Sequence, residues 1–243
     1  MDLFGILVIG FFIGIRHAME ADHLAAVASL GQNGGGVRFM IRRGMAWGIG
    51  HGFALLIICG LLIAAGDSLS QIFEAWLELL VAIMIVALGI NTLHKMLKQK
   101  IHFHIHQHDG HAHLHAHSHS ADRTTRLSHE KMPHEHKHAK QGHWIALLIG
   151  LLHGAAGSGA LLVLVVAATH SIFEALIYVF IFASGAVVGM ALLSVVISMP
   201  ISMAQLQAGR INKIALASIA SFCFWTGGQL GLESLTLLGF VGG

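Results

Sequence analysis

Five ionisable side chains fall within eight residues: Arg16, His17, Glu20, Asp22 and His23. Apolar chain flanks them on both sides, Leu3–Ile15 before and Leu24–Leu30 after. At bilayer depth each central Asp or Arg costs about 2.5–3.5 kcal/mol on insertion scales, so such a group is kept for binding or moving something. Two imidazoles beside two carboxylates suit a divalent transition metal. Imidazole favours Ni, Co, Cu and Zn, and carboxylate adds negative charge. With neutral imidazoles, Arg16, Glu20 and Asp22 sum to a net charge of about −1, enough to neutralise a dication in part.

Two more histidines, His51 and His153, fall near the middle of other apolar stretches. Three helices would thus bring His17, His51 and His153 to one depth. Helical geometry leaves the ligand set open. At about 100° per residue, Asp22 lies roughly 140° round from His17 and His23 roughly 240°. One straight helix cannot aim all three at one ion. Either the helix unwinds near the motif, or one set ligates while the other supports. The expected core is His17, Asp22, His23 and His51, with His153 a further candidate. Arg16 and Glu20, four apart, are expected to form a supporting ion pair.

The elements that must carry these residues are membrane helices. The 243 residues are 55% hydrophobic and 11% charged, against about 25% charged in a soluble domain. Mean hydropathy is +0.73. The expected fold is an all-α integral membrane protein with six transmembrane segments near 3–30, 39–66, 71–94, 144–168, 172–199 and 213–238. The first is read as a retained helix, because a basic n-region and a small-residue cleavage site are both missing from it. Pro200 is expected to close the fifth. Cys59 and Cys223 both lie in apolar segments and do not make a disulfide framework.

Basic residues set the expected orientation. Arg38, Arg42 and Arg43 fall in the first link. Lys95, Lys98, Lys100, Arg123, Arg126, Lys131, Lys137 and Lys140 fall in the third, and Arg210 and Lys213 in the fifth. Lysine and arginine favour the cytoplasmic side, so these links are expected there, in a bacterial-type inner membrane, with both termini outside.

The halves resemble each other. Gly14-Ile15-Arg16-His17-Ala18 aligns with Gly150-Leu151-Leu152-His153-Gly154, and Gly48–Leu56 aligns with Gly185–Leu193. Three crossings reverse the next unit, so the expectation is two inverted three-helix repeats, 1–94 and 144–243, around a midplane site. Between them, residues 95–143 are expected to form a cytoplasmic His-rich loop. Residues 102–143 hold fourteen of the twenty histidines. His102, His104, His106 and His108, then His111, His113, His115, His117 and His119, alternate with other residues. Little apolar content is available for a core, so this loop is expected to be disordered and to bind metal as a buffer or sensor.

Arg16-His17-Ala18 through Ala21-Asp22-His23 matches the H-x4-D-H signature of the nickel/cobalt transporter (NiCoT/NicO) superfamily. Trp47-Gly48-Ile49-Gly50-His51 is similar to that family's next segment. Gly150–Ala160 is similar to the HGxAGS segment of its six-helix, urease-accessory-like branch. The resemblance implies a nickel or cobalt permease that uses His17, Asp22, His23 and His51 in metal selection. Transport of Ni²⁺ or Co²⁺, in the uptake direction, is therefore the expected function, with efflux the alternative. The ion is cargo, no cofactor is expected, and nucleic acid is not a partner. The expected partners are the metal, the bilayer and cytoplasmic nickel chaperones. An intramembrane serine protease, prompted by Gly157-Ser158-Gly159, is disfavoured. Ala156 stands where a GxSG motif needs glycine, and no histidine follows His170.

Overall fold

The computed structural model describes residues 3–31, 37–66, 69–98, 101–108, 111–118, 141–157, 161, 165, 169, 171–206 and 210–241. The elements in chain order are α1 (Leu3–His17), α2 (Ala21–Gly31), α3 (Val37–Ala65), α4 (Gln71–Lys98), β1 (Ile101–His108), β2 (His111–Ser118), α5 (Gln141–Ala156), α6 (Ile172–Leu206) and α7 (Arg210–Leu237).

Four helices are long and apolar enough to cross a membrane: α3, α4, α6 and α7. Helices α1 and α2 form a fifth crossing if their bent pair counts as one span. Of the expected fourth segment the structure describes a helix only as far as Ala156. The described residues therefore give a multi-pass helical membrane body with four spans, or five with the bent pair. The apolar side chains of Phe4, Phe12, Phe53, Leu61 and Phe180 cover its outside, as a lipid-facing surface requires.

Serines start two of the long helices. Ser70 Oγ accepts from the Phe73 amide, and Ser171 Oγ accepts from the Glu174 amide. Each satisfies an amide that the first turn leaves without a partner. Pro200 does not close its helix. It lies inside α6, which continues to Leu206, an interruption that neighbouring helices make tolerable in membrane proteins.

The helices pack reciprocally. Helix α1 lies on α6 and α5 lies on α3, while α3 meets α6 and α4 meets α7. Exchanging the halves, α1 for α5, α3 for α6 and α4 for α7, reproduces this pattern. Glycines bring the backbones together. A Cβ on Gly14 would strike the Phe182 carbonyl, and one on Gly150 would strike the Trp47 carbonyl. Small residues permit this approach where lipid supplies no hydrophobic drive between helices. One cluster, of Leu55, Cys59, Tyr178, Val179 and Phe182, fills the contact of α3 with α6.

Helix α2 is wedged inside. It contacts α4, α6 and α7. Ser29 Oγ lies 3.0 Å from Thr92 Oγ1 of α4, and the Cys223 thiol of α7 reaches the Ala25 carbonyl at 3.5 Å. The charge pattern puts Arg43 in the cytoplasmic first link. It is instead a buried residue of α3 and donates from Nη1 to the Leu30 carbonyl at 2.9 Å. A cation there meets the negative end of the α2 dipole.

Within the His-rich link, the described residues 101–108 and 111–118 pair as antiparallel strands. The strict two-residue alternation of this stretch is the period of a strand. His119 lies outside the described residues.

Candidate metal centre

The site is made by a break in the first apolar segment. Helix α1 ends in a tightened turn, with Met19 N–H bonded to the Arg16 carbonyl and Glu20 N–H to the His17 carbonyl. Helix α2 then starts from the Glu20 carbonyl, which accepts from the Leu24 amide. The two axes differ by 54°. Local charge suits the break. Arg16 and His17 occupy the last turn of α1 and Asp22 the first turn of α2, and each complements its helix dipole. The break removes the obstacle a straight helix posed, since His17 and His23 now sit on separate helices with rings meeting at 4.7 Å.

His51 from α3 joins them, its ring 5.2 Å from both His17 and His23. One ligand atom from each of these three histidines lies within 4.8 Å of one from each other. Metal–imidazole bonds of about 2.0–2.1 Å put neighbouring nitrogens roughly 3.0–3.4 Å apart, so a shared ion would draw these side chains closer together. A second group overlaps the first through His23: Asp22, His23 and His153. His153 of α5 stacks on His23 with centroids 4.0 Å apart. All five expected ligands thus meet in one place. Trp47 walls one side, 5.5 Å from His23, and Phe182 another, 5.5 Å from His17.

Carboxylates decide which nitrogens are free. Asp22 Oδ1 accepts from His23 Nδ1 at 2.9 Å, and Asp22 Oδ2 accepts from His153 Nε2 at 2.8 Å. Glu20 Oε2 lies 3.0 Å from His17 Nδ1. In a neutral imidazole one nitrogen donates and the other carries a lone pair. The three carboxylate contacts therefore leave lone pairs on His17 Nε2, His23 Nε2 and His153 Nδ1. Among the described residues those buried atoms find no hydrogen-bond partner, and neither does either ring nitrogen of His51. Carboxylate–histidine contacts of this kind fix tautomer and ring orientation in metal sites.

One expectation changes in detail. The pair expected between Arg16 and Glu20 gives way to Glu20 on His17, because the break at Ala18–Glu20 removes the helical spacing that would have joined them. Asp22 has both oxygens engaged by histidines, while also belonging to a group with His23 and His153 that could hold an ion. Sequence reasoning passed over Trp47 and Phe182 as walls. The signal for Trp47 was present, four residues before His51 on one helix. Ser158, the nucleophile of the protease reading, lies outside the described residues, and nothing among them supports that reading.

Fold and site together define a class: a multi-pass helical membrane protein with a buried histidine–carboxylate cluster at a broken helix. The chain is 32% identical over 211 residues to a urease accessory protein, UreH, of Bacillus sp. (strain TB-90), an alignment that covers 84% of this chain and 80% of that protein. The chain belongs to the family of that urease accessory protein. No family model matches the chain, and no solved structure matches it.

Proposed function

We propose that the chain carries Ni²⁺, or Co²⁺, across the membrane through the cluster of His17, His23 and His51, oriented by Glu20, Asp22 and His153. The observation that carries this reading is the set of buried imidazole nitrogens that lack partners among the described residues. Buried polar groups are normally hydrogen-bonded, and each one left unmade costs about 1–3 kcal/mol. Histidines kept only for packing would have found donors or acceptors. An ion repays several such costs at once.

Three neutral nitrogens around one carboxylate-supported centre suit a borderline dication. The set binds strongly enough to strip water, while Asp22 and Glu20 supply negative charge. Alternating exposure by rocking of two inverted halves is the expected transport movement. Histidine and carboxylate groups also bind protons in competition with metal, which makes a proton gradient a suitable drive. Uptake is the favoured direction. The relative is named for urease, a nickel enzyme inside the cell, and such an enzyme needs metal delivered inward. Cytoplasmic nickel chaperones would receive the ion. Efflux is the second reading, favoured by the many histidines of the link, which would serve as a capture arm.

Radioactive nickel accumulation at trace external metal, in cells expressing the chain or its His51→Ala variant, separates them. Uptake gives at least tenfold more cell-associated nickel than the variant. Efflux gives less than the variant. Equal accumulation with equal expression overturns the carrier reading.

A further inference from the structure

Among the described residues the ligand atoms of the centre fall into two groups, His17, His23 and His51 in one and Asp22, His23 and His153 in the other. They share His23, which turns a different nitrogen to each. Its Nδ1 lies 2.9 Å from Asp22 Oδ1, and Asp22 Oδ2 lies 2.8 Å from His153 Nε2. Its Nε2 is buried with no hydrogen-bond partner among the described residues. The rings of His17 and His51 stand 4.7 and 5.2 Å from the His23 ring. One ion cannot take both nitrogens of one ring. A neutral ring also offers one lone pair at a time. While His23 serves one group, its other nitrogen holds the proton and the second group is incomplete.

The aromatic walls divide in the same way. Phe182 lies against His17, and Trp47 lies against His23 and His153. Gly48 meets Val187 and Gly52 meets Ala183, so α3 and α6 run antiparallel. Phe182 therefore stands beyond Gly52, more than one helical turn from Trp47 along α3. The wall of the His17 group is displaced toward the Ala65 end of α3, and that of the His153 group toward the Val37 end.

We propose that the centre is two successive stations for one divalent transition-metal ion, between which the ion passes from one nitrogen of His23 to the other. This rests on the carrier reading above. The first station offers three neutral imidazoles, and the second offers two imidazoles and the Asp22 carboxylate. As the ion crosses, the His23 proton moves from Nδ1 to the vacated Nε2, so the ring stays neutral. The His153 proton likewise moves from Nε2 to its unpartnered Nδ1. Two dications on opposite nitrogens of one ring would repel strongly, so the stations fill in turn. With the orientation that the link charges predict, the His17 group is the outer station.

The test uses the full chain, purified in detergent and then placed in liposomes, with Ni²⁺ as the transported metal. Equilibrium dialysis counts ions bound, the visible absorption of bound Co²⁺ reads the ligand set, and a metal-sensitive dye inside the liposomes reads flux. His51→Gln disables the first station. So does His17→Gln, at a partly exposed position that tolerates the change better. His153→Gln disables the second and keeps an N–H for Asp22 Oδ2. Each variant should still bind one ion, and each should lose flux about tenfold or more. The Co²⁺ spectrum of His153→Gln should differ from that shared by the other two. His51→Gln combined with His153→Gln should bind about tenfold or more weakly than either alone. Parental flux through His153→Gln, or loss of binding in both His17→Gln and His51→Gln, would show a single station and overturn the inference. If the parent protein carried no Ni²⁺, the carrier reading would fall instead, and the binding counts and spectra would tell that result apart.

Discussion

Asp22 shows how much one side chain decides. Its two oxygens hold His23 and His153 at 2.9 and 2.8 Å and thereby select the tautomers that present lone pairs. Asn in its place keeps the size but turns one acceptor into a donor and removes the charge. Loss of a carboxylate that orients a metal-binding histidine typically costs 10–100-fold in affinity. Asp22→Asn should therefore weaken Ni²⁺ binding by about that factor, measured by dialysis of purified protein, with expression unchanged. Glu20 is more exposed than Asp22, so Glu20→Gln should fall at the lower end of the same range. A wild-type affinity in both variants would return the carboxylates to a purely structural role.

At the scale of elements, the site depends on how closely the helices approach. Gly150 lets α5 lie against the Trp47 carbonyl of α3, and Gly154 lets it lie against that of His51. Backbone cannot move aside as the end of a flexible side chain can. Gly150→Val should force α5 away, cost about 1–3 kcal/mol or more as overpacking does, and draw His153 off the cluster. Among the described residues, nothing outside its own helix backbone lies within 4 Å of where a Cβ on Gly228 of α7 would stand. Gly228→Ala should not destabilise, and its better helix propensity should add up to about 1 kcal/mol. Thermal unfolding in detergent checks both, and a Gly150→Val protein as stable as Gly228→Ala would refute the close-packing account.

For the whole molecule, the distribution of charge sets which way the bundle should face. The charge bias of the links predicts Gln71 at the outer end of α4 and Lys98 at the inner end. Cys59 and Cys223 are both buried, so native thiols add little background to labelling. A membrane-impermeant thiol reagent should modify Gln71→Cys in intact cells and Lys98→Cys only after permeabilisation. The reverse pattern would invert the topology and place the histidine-rich link outside.

Some of this was legible in the residues alone. Apolar composition, the basic links and five ionisable groups at membrane depth announced a helical membrane protein with a candidate metal site in its first segment. Its five expected ligands, His17, Asp22, His23, His51 and His153, do meet. Chemistry of this kind survives in sequence because side-chain type and burial cost are properties of each residue. The partnerships were not legible. Whether Glu20 would meet Arg16 or His17 depended on a 54° break that no spacing rule specifies, since both a straight and a broken helix fit the same residues. The burial of Arg43 likewise needed the end of α2 to arrive beside it. Which nitrogens keep a lone pair is set by atoms from chain segments as far apart as Asp22 and His153, and only the packed bundle brings those together.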